Sequence, residues 1–135
     1  MLSTGLMMAG VNRVWNGETQ IANVEDGILT SEEISYLDLS STDIVSLDAC
    51  KTGTGNYNSL YGIVGLPRSF KLAGVKSIIV SLWNVDDLAT SLMMKSFYEE
   101  LLRTKNKYQS FRHAQQIVRD RYSDPYYWAG FVIID

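Results

Sequence analysis

Two stretches of consecutive apolar residues stand out in an otherwise amphipathic chain. A β-branched run opens Ile44–Asp48, and Val75–Trp83 contains three adjacent aliphatic residues. Such runs are typical of strands that are covered on both faces of a parallel sheet. The pattern therefore predicts buried strands at these two places and a last strand at Trp128–Ile134.

Between and after the first two strands, apolar residues recur at helical spacing. Met93, Phe97 and Leu101, for example, fall on one face of a helix. Pro67 requires that its helix begin nearby or kink, because proline removes a backbone donor. Three helices are expected. The first spans about Leu60–Ala73, and the second runs from a cap at Asp86 or Asp87 to about Arg103. The third spans about Tyr108–Tyr122 and is stopped by Pro125.

The N-terminal third carries turn and cap signals. A β-hairpin is predicted where the Asn16-Gly17 pair follows a run of small and apolar residues. Thr30, with Glu33 three residues later, has the form of a capping box and predicts a short helix. Ile34 and Leu37 of that helix are expected to face the core.

The order of these elements predicts the fold class. Strands that alternate with helices of this length favour an α/β fold, a three-layer α/β/α sandwich with a mainly parallel sheet. The 135 residues fit a single domain, residues 1–135. A composition of 46% hydrophobic and 20% charged residues is that of a globular protein and excludes a disordered one.

Charge and composition also narrow the function. A net charge of −3 without a basic stripe gives no reason to expect a nucleic-acid partner. No segment approaches the roughly 20 apolar residues of a spanning helix, so no membrane partner is expected. One cysteine cannot form an internal disulfide, which makes a cytoplasmic location the default. No glycine-rich phosphate fingerprint follows a strand, and neither a cofactor nor a metal is expected.

Cys50, the only cysteine, comes just after the first predicted strand. Lys51, Thr52 and two glycines follow it in place of further apolar residues. Ligands of open α/β sheets bind outside the carboxyl ends of the strands. A lone cysteine is commonly an inert buried residue, but this polar sequence favours a site at the sheet edge.

Three segments together resemble the CHAT domain, a caspase-like cysteine peptidase family often fused to tetratricopeptide repeats. They are LDACKTGTG (Leu47–Gly55), GIVGLPRSFKLAGVKSIIVSLWNVDD (Gly62–Asp87) and PYYWAGFVII (Pro125–Ile134). Their order and spacing match as well, and the resemblance covers nearly the whole chain from about Gly5. It implies a caspase-like fold with Cys50 as the catalytic nucleophile.

The same resemblance implies that half of the catalytic apparatus is missing. The family's general base is a histidine on the preceding strand, followed by a glycine that helps form the oxyanion hole, and that segment would lie before Met1. The chain then corresponds to the C-terminal portion of the domain, without its N-terminal part. His113, the only histidine, lies roughly 200° from Phe111 around its helix and is expected to face solvent. The isolated chain is therefore expected to be inactive.

Acidic residues indicate the substrate class. Asp48 stands two residues before Cys50, where relatives such as metacaspases carry an aspartate that lines a pocket for arginine or lysine. Many CHAT sequences have serine there. Asp86 and Asp87 follow Leu82-Trp83 and resemble a separase stretch whose acid binds arginine. Carboxylates that converge on a pocket bind a guanidinium through charge-assisted hydrogen bonds. The alternative is that Asp48 is only a strand-end residue and Asp86 or Asp87 only a helix cap.

Two function classes stay open. The first is a cysteine endopeptidase that cuts a protein or peptide substrate after a basic residue, with tetratricopeptide repeats or other domains in the parent protein. The second is a non-catalytic CHAT-like interaction module. In either case, a sheet without the histidine strand would leave an open edge, which favours self-association.

Overall fold

The computed structural model describes residues 5–9, 11–12, 16–17, 26–47 and 59–135, and their side chains except those of 59–64. Helices and strands are mixed throughout, so the chain is α/β. The strands are β1 (Gly5–Met7), β2 (Ile28–Thr30), β3 (Ile44–Leu47), β4 (Ser77–Ser81) and β5 (Phe131–Ile134). The helices are α1 (Ser31–Ser35), α2 (Ser59–Leu72), α3 (Asp87–Thr104), α4 (Lys107–Arg121) and α5 (Pro125–Trp128).

The chain forms two compact units, of which the first comprises Met1–Asp43 and Tyr57–Lys76. In this unit β1 and β2 pair antiparallel. Asn16 and Gly17 form a turn as predicted, but the partner of β1 is β2, which lies well beyond that turn. The segments on either side of Asn16-Gly17, residues 13–15 and 18–25, lie outside the described residues, so a hairpin at that turn stays a prediction. Helix α2 continues through Pro67.

The predicted capping box is confirmed at the start of α1. The Thr30 hydroxyl accepts from the Glu33 amide at 3.2 Å, and the Glu33 carboxylate accepts from the Thr30 amide at 2.8 Å. These reciprocal bonds satisfy two amides that the first helical turn leaves unpaired. Ile34 is buried as expected, but Leu37 is exposed, so only Ile34 belongs to the core.

The second unit, Ile44–Asn56 and Ser77–Asp135, contains a three-stranded sheet in the order β3-β4-β5. β3 runs parallel to β4, with Leu47 opposite Val80. All five residues of β4 are buried, as its apolar run predicted. β5 runs antiparallel to β4, so these described strands form a mixed sheet, where the sequence predicted a mainly parallel one. The two long helices between β4 and β5 bring the chain back to the end where β4 finished, whereas a single crossover helix would return it to the other end.

The core of this unit lies between the sheet and the pair α3 and α4. The two helices are joined by only Lys105 and Asn106, with Lys105 in the left-handed conformation that ends α3. Their buried side chains meet those of the sheet. The cluster is Ile79, Val85, Ala89, Met93, Phe97, Phe111, Ala114, Val118 and Phe131.

One nearly buried residue of α3 is charged. Glu100 accepts hydrogen bonds from Nε and Nη2 of Arg103 at 2.9 and 2.5 Å. These side-chain hydrogen bonds lower the pKa of Glu100 below its usual value, against the opposing effect of burial, and electrostatic interactions with Arg103 and His113 add to the lowering. His113 itself is exposed, as predicted.

Candidate functional site

The parallel pairing of β3 and β4 determines which residues share one edge of the sheet. Because Leu47 lies opposite Val80, the loop that follows β4 leaves the sheet at the end where β3 finishes. Asp48 and Cys50, the next predicted site residues after β3, lie outside the described residues. Asp86 and Asp87, the other two, lie within them.

Asp86 is the N-cap of α3. Its Oδ2 accepts from the amides of Leu88 at 3.0 Å and Ala89 at 3.2 Å. The side chain thus satisfies two unpaired amides of the first turn. Asp87 is the first residue of the helix and makes no side-chain hydrogen bond to the described residues. Of the two alternatives left open by the sequence, capping is therefore confirmed for Asp86 and does not apply to Asp87.

Both aspartates nevertheless line one open cleft of about 380 Å³. Its remaining described walls are Asn84, Val85, Tyr126 and Tyr127. The cleft combines two carboxylates with two aromatic rings, and both groups attract cations. Its chemistry therefore suits a guanidinium or ammonium group.

Two hydrogen bonds tie the loop after β4 to helix α5. The Trp83 indole N–H donates to the Tyr126 carbonyl at 2.9 Å, and the Tyr126 hydroxyl donates to the Asn84 carbonyl. The rings of Trp83 and Tyr126 also stack, with centroids 6.4 Å apart. A Cβ at Gly130 would come within 2.8 Å of Val85 and 2.9 Å of Trp83, so any larger residue there would force these side chains to shift. These contacts, called the Trp83 clamp below, hold one wall of the cleft against the other.

Sequence reasoning did not assign Tyr126 to this site, because aromatic residues in such a chain are commonly core or subunit contacts. Tyr126 is in fact 47% exposed and forms part of the cleft wall. Nor did it predict helix α5, and Trp128 lies in that helix instead of the last strand. The signal was present: Asp124 is the N-cap and Pro125 the first helical residue, a common way for a helix to begin.

A second, smaller cavity of about 60 Å³ lies between the sheet and α3. Its described lining is neutral: Ser46, Leu47, Ile79, Ser81, Thr90, Met94 and Phe131. The buried Thr90 hydroxyl has no hydrogen-bond partner among the described residues, which is uncommon for an interior polar group. The Ser46 hydroxyl pairs with that of Tyr98 at 3.0 Å. The sheet edge thus carries an acidic cleft and a separate neutral cavity.

Two features are absent from the described part of the chain. No group of three or more His, Cys, Asp or Glu side chains there is arranged to hold a metal ion. None of its helices has the length and apolar character needed to cross a membrane.

Comparison with known proteins gives the family. The family model described as CHAT domain matches residues 1–135. The chain is 31% identical over 109 residues to Tetratricopeptide repeat protein 28 of Mus musculus. The matched region covers 79% of this chain and 4% of that protein. It is 33% identical over 75 residues to Tetratricopeptide repeat protein 28 of Homo sapiens, covering 54% of this chain and 3% of that protein. The chain spans only these few per cent of its relatives, but the family model matches all of it. It belongs to the CHAT domain family.

Proposed function

We propose that this chain is the nucleophile-bearing, C-terminal portion of a CHAT-family cysteine endopeptidase that cuts after a basic residue. Its complete domain would be a three-layer α/β/α sandwich of caspase-like type. The observation that supports a basic substrate residue is the acidic and aromatic cleft formed by Asp86, Asp87 and Tyr126. That cleft follows β4 at the sheet edge where β3 ends, and Cys50 comes three residues after β3 in sequence.

In this proposal the Cys50 thiolate attacks the scissile carbonyl and forms a thioester as the peptide C–N bond breaks. A histidine outside these 135 residues takes the thiol proton and passes it to the leaving amine. Water then hydrolyses the thioester, which restores the thiol and releases the new carboxylate. His113 is not a candidate for this base, because its side chain is exposed on α4.

The basic specificity follows from the charge of the cleft. The exposed carboxylates of Asp86 and Asp87 can accept charge-assisted hydrogen bonds from an arginine side chain. Lysine is expected to do less well, because an ammonium group cannot match two carboxylates in a fork. Asp48 would supply a further carboxylate from the segment after β3. No nucleic acid, membrane, metal or cofactor takes part, and the setting is the cytoplasm.

The relatives that match this chain are named as tetratricopeptide repeat proteins. We infer that the parent protein joins its CHAT domain to such repeats. This context also favours the second candidate, a non-catalytic interaction module in which the Cys50 position has no base.

The deciding experiment uses the full-length parent protein. Arginyl, lysyl and neutral fluorogenic peptides are compared, with Cys50→Ala as the inactive control. Cleavage in the order arginyl, lysyl, neutral that disappears in Cys50→Ala supports the peptidase. No cleavage of any peptide by a parent with native fold supports the interaction module instead. A preference for small neutral residues would point to the neutral cavity and contradict the basic specificity.

The site residues are then tested one by one in the same parent. Asp48→Asn, Asp86→Asn and Asp87→Asn should each reduce the arginine preference while activity on neutral peptides is retained. An unchanged preference in all three would show that these carboxylates do not line the specificity pocket. The 135-residue chain alone should hydrolyse none of the peptides, since it lacks the base and part of the oxyanion hole.

A further inference from the structure

A second groove, of opposite charge, lies beside the N-terminal half of α3. Leu88, Ser91, Leu92 and Lys95 line it from α3, and Arg121 and Tyr122 line it from the end of α4. Its volume is about 220 Å³, and it has no part in the chemistry proposed for the sheet edge.

The floor of this groove is apolar and already in place. Leu88 is 72% exposed, although it is a leucine in the first turn of a helix. Tyr122 stacks on Tyr127 with centroids 4.7 Å apart and an angle of 22° between the rings. Leu92 packs against the core and anchors the floor. A ligand would therefore meet a preformed surface and would not have to order it, which favours binding.

The rim of the groove is basic. Arg121 forms no ion pair with any described residue, and its guanidinium lies 5.9 Å from the Tyr122 ring centre. Lys95 is 3.9 Å from Glu99, an exposed pair of the kind that contributes little and leaves the ammonium available. Two cations beside an apolar floor contrast with the net charge of −3 for the whole chain. The occupant must therefore bring negative charge and an apolar side chain together.

We propose that this groove, called the Leu88 groove, docks an acidic peptide segment of a partner protein, with an aliphatic side chain against Leu88 and Tyr122 and carboxylates at Lys95 and Arg121. A volume of about 220 Å³ admits one or two side chains, so the contact is a short motif and not a broad interface. The acidic cleft, which carries Asp86 and Asp87, would repel the same segment. The two sites therefore select ligands of opposite charge.

The test is a peptide-display selection: a library of short random peptides is selected for binding to the 135-residue chain. Enriched peptides should share an aliphatic residue next to aspartate or glutamate. A synthetic copy should bind Leu88→Ser roughly ten- to a hundredfold more weakly, the loss expected when one buried leucine contact is removed. Arg121→Glu should also bind the peptide more weakly than the wild type does. Added salt should weaken binding of the peptide to the wild type.

Leu102→Ser is the matched control, because Leu102 is also 72% exposed on α3 but lies outside the groove. It should bind the peptide like the wild type, and circular dichroism should show all three variants folded. Failure to enrich any acidic peptide overturns the proposal, as does binding that is insensitive to both Leu88→Ser and Arg121→Glu. A dimer that Leu88→Ser converts to monomer in sedimentation would also overturn it, since the occupant would then be a second copy of the chain.

Discussion

Asp86 and Asp87 are neighbours with the same side chain, yet they differ in what they contribute. The carboxylate of Asp86 accepts from two helix amides, while that of Asp87 makes no such bond to the described residues. Both line the acidic cleft. Stability and ligand binding can therefore be separated at these two positions.

Replacing Asp86 with alanine should lower the free energy of unfolding by about 1 kcal/mol, the typical loss for an N-cap. Asp87→Ala should lower it by less, since only a favourable interaction with the helix dipole is lost. Urea titration of the two variants measures the difference. Equal losses would show that the cap bonds of Asp86 contribute nothing to stability.

Glu100 predicts a pH dependence whose sign follows from its hydrogen bonds with Arg103. Because the folded protein lowers the pKa of Glu100 below 4.5, its stabilising contribution is present above that value. The contribution disappears as the pH falls through the lowered pKa. Glu100→Gln should therefore be less stable than the wild type at neutral pH, and the difference should shrink in acid.

Denaturation midpoints of wild type and Glu100→Gln across this pH range provide the measurement. Glu99→Gln is the control on the same helix, because Glu99 forms only an exposed ion pair with Lys95, at 3.9 Å. It should change little. A Glu100 effect that stays constant with pH would rule out the ion pair as its cause.

Substitutions at Gly74 and Gly17 can distinguish the cost of backbone strain from the cost of a close contact. Gly74 has φ of +101°, and a Cβ there would lie 3.0 Å from the Ser40 backbone. Gly17 has φ of +72°, and a Cβ there would lie within 4 Å of no described residue. Gly17→Ala should cost about 1–2 kcal/mol from left-handed backbone alone, and Gly74→Ala should cost more. Equal losses in urea titration would mean that the Ser40 contact relaxes freely.

At the scale of elements, the Trp83 clamp carries its own prediction. Tyr126→Phe keeps the ring but removes the hydroxyl that donates to the Asn84 carbonyl. We expect a loss of about 0.5–1.5 kcal/mol in unfolding free energy, with faster amide exchange in the loop after β4. Tyr36→Phe is the control, since Tyr36 is 80% exposed and its hydroxyl makes no bond to the described residues. Unchanged exchange in Tyr126→Phe would show that the clamp does not hold the loop.

The sequence predicted helices better than it predicted the direction of strands. Helices α3 and α4 lie within about one residue of their expected bounds, because cap residues and apolar spacing agree at each end. The antiparallel direction of β5 depends on pairing with β4 some fifty residues earlier, which no local pattern encodes.

In the candidate site, too, local sequence patterns predicted some residues, and contacts between distant residues determined others. Asp86 and Asp87 could be found from their motif, and the cap role of Asp86 from its place before an apolar stripe. The position of Tyr126 could not, because it is fixed by a bond to Asn84, 42 residues away in sequence. The roles of Asp48 and Cys50 remain predictions from the motif.

At the scale of the whole molecule, the described sheet leaves β3 with one strand neighbour, β4. If the complete domain adds the histidine strand beside β3, the 135-residue chain has an open edge, and open edges pair with other chains. Its sedimentation coefficient should therefore rise with concentration. Cys50→Ser serves as the control that excludes an intermolecular disulfide. A monomer at high concentration that binds no hydrophobic dye would contradict the open edge.

The Trp83 clamp also provides an optical signal. Trp83 is 37% exposed, and its indole is bonded to and stacked on Tyr126, a wall of the acidic cleft. Indole emission depends on the polarity and mobility of its surroundings, so a cation entering the cleft should change the fluorescence of Trp83. Arginine amide titrated into the chain should therefore alter its emission, and Trp83→Phe should remove the change. Occupancy of the cleft can be followed in this way without any catalytic turnover.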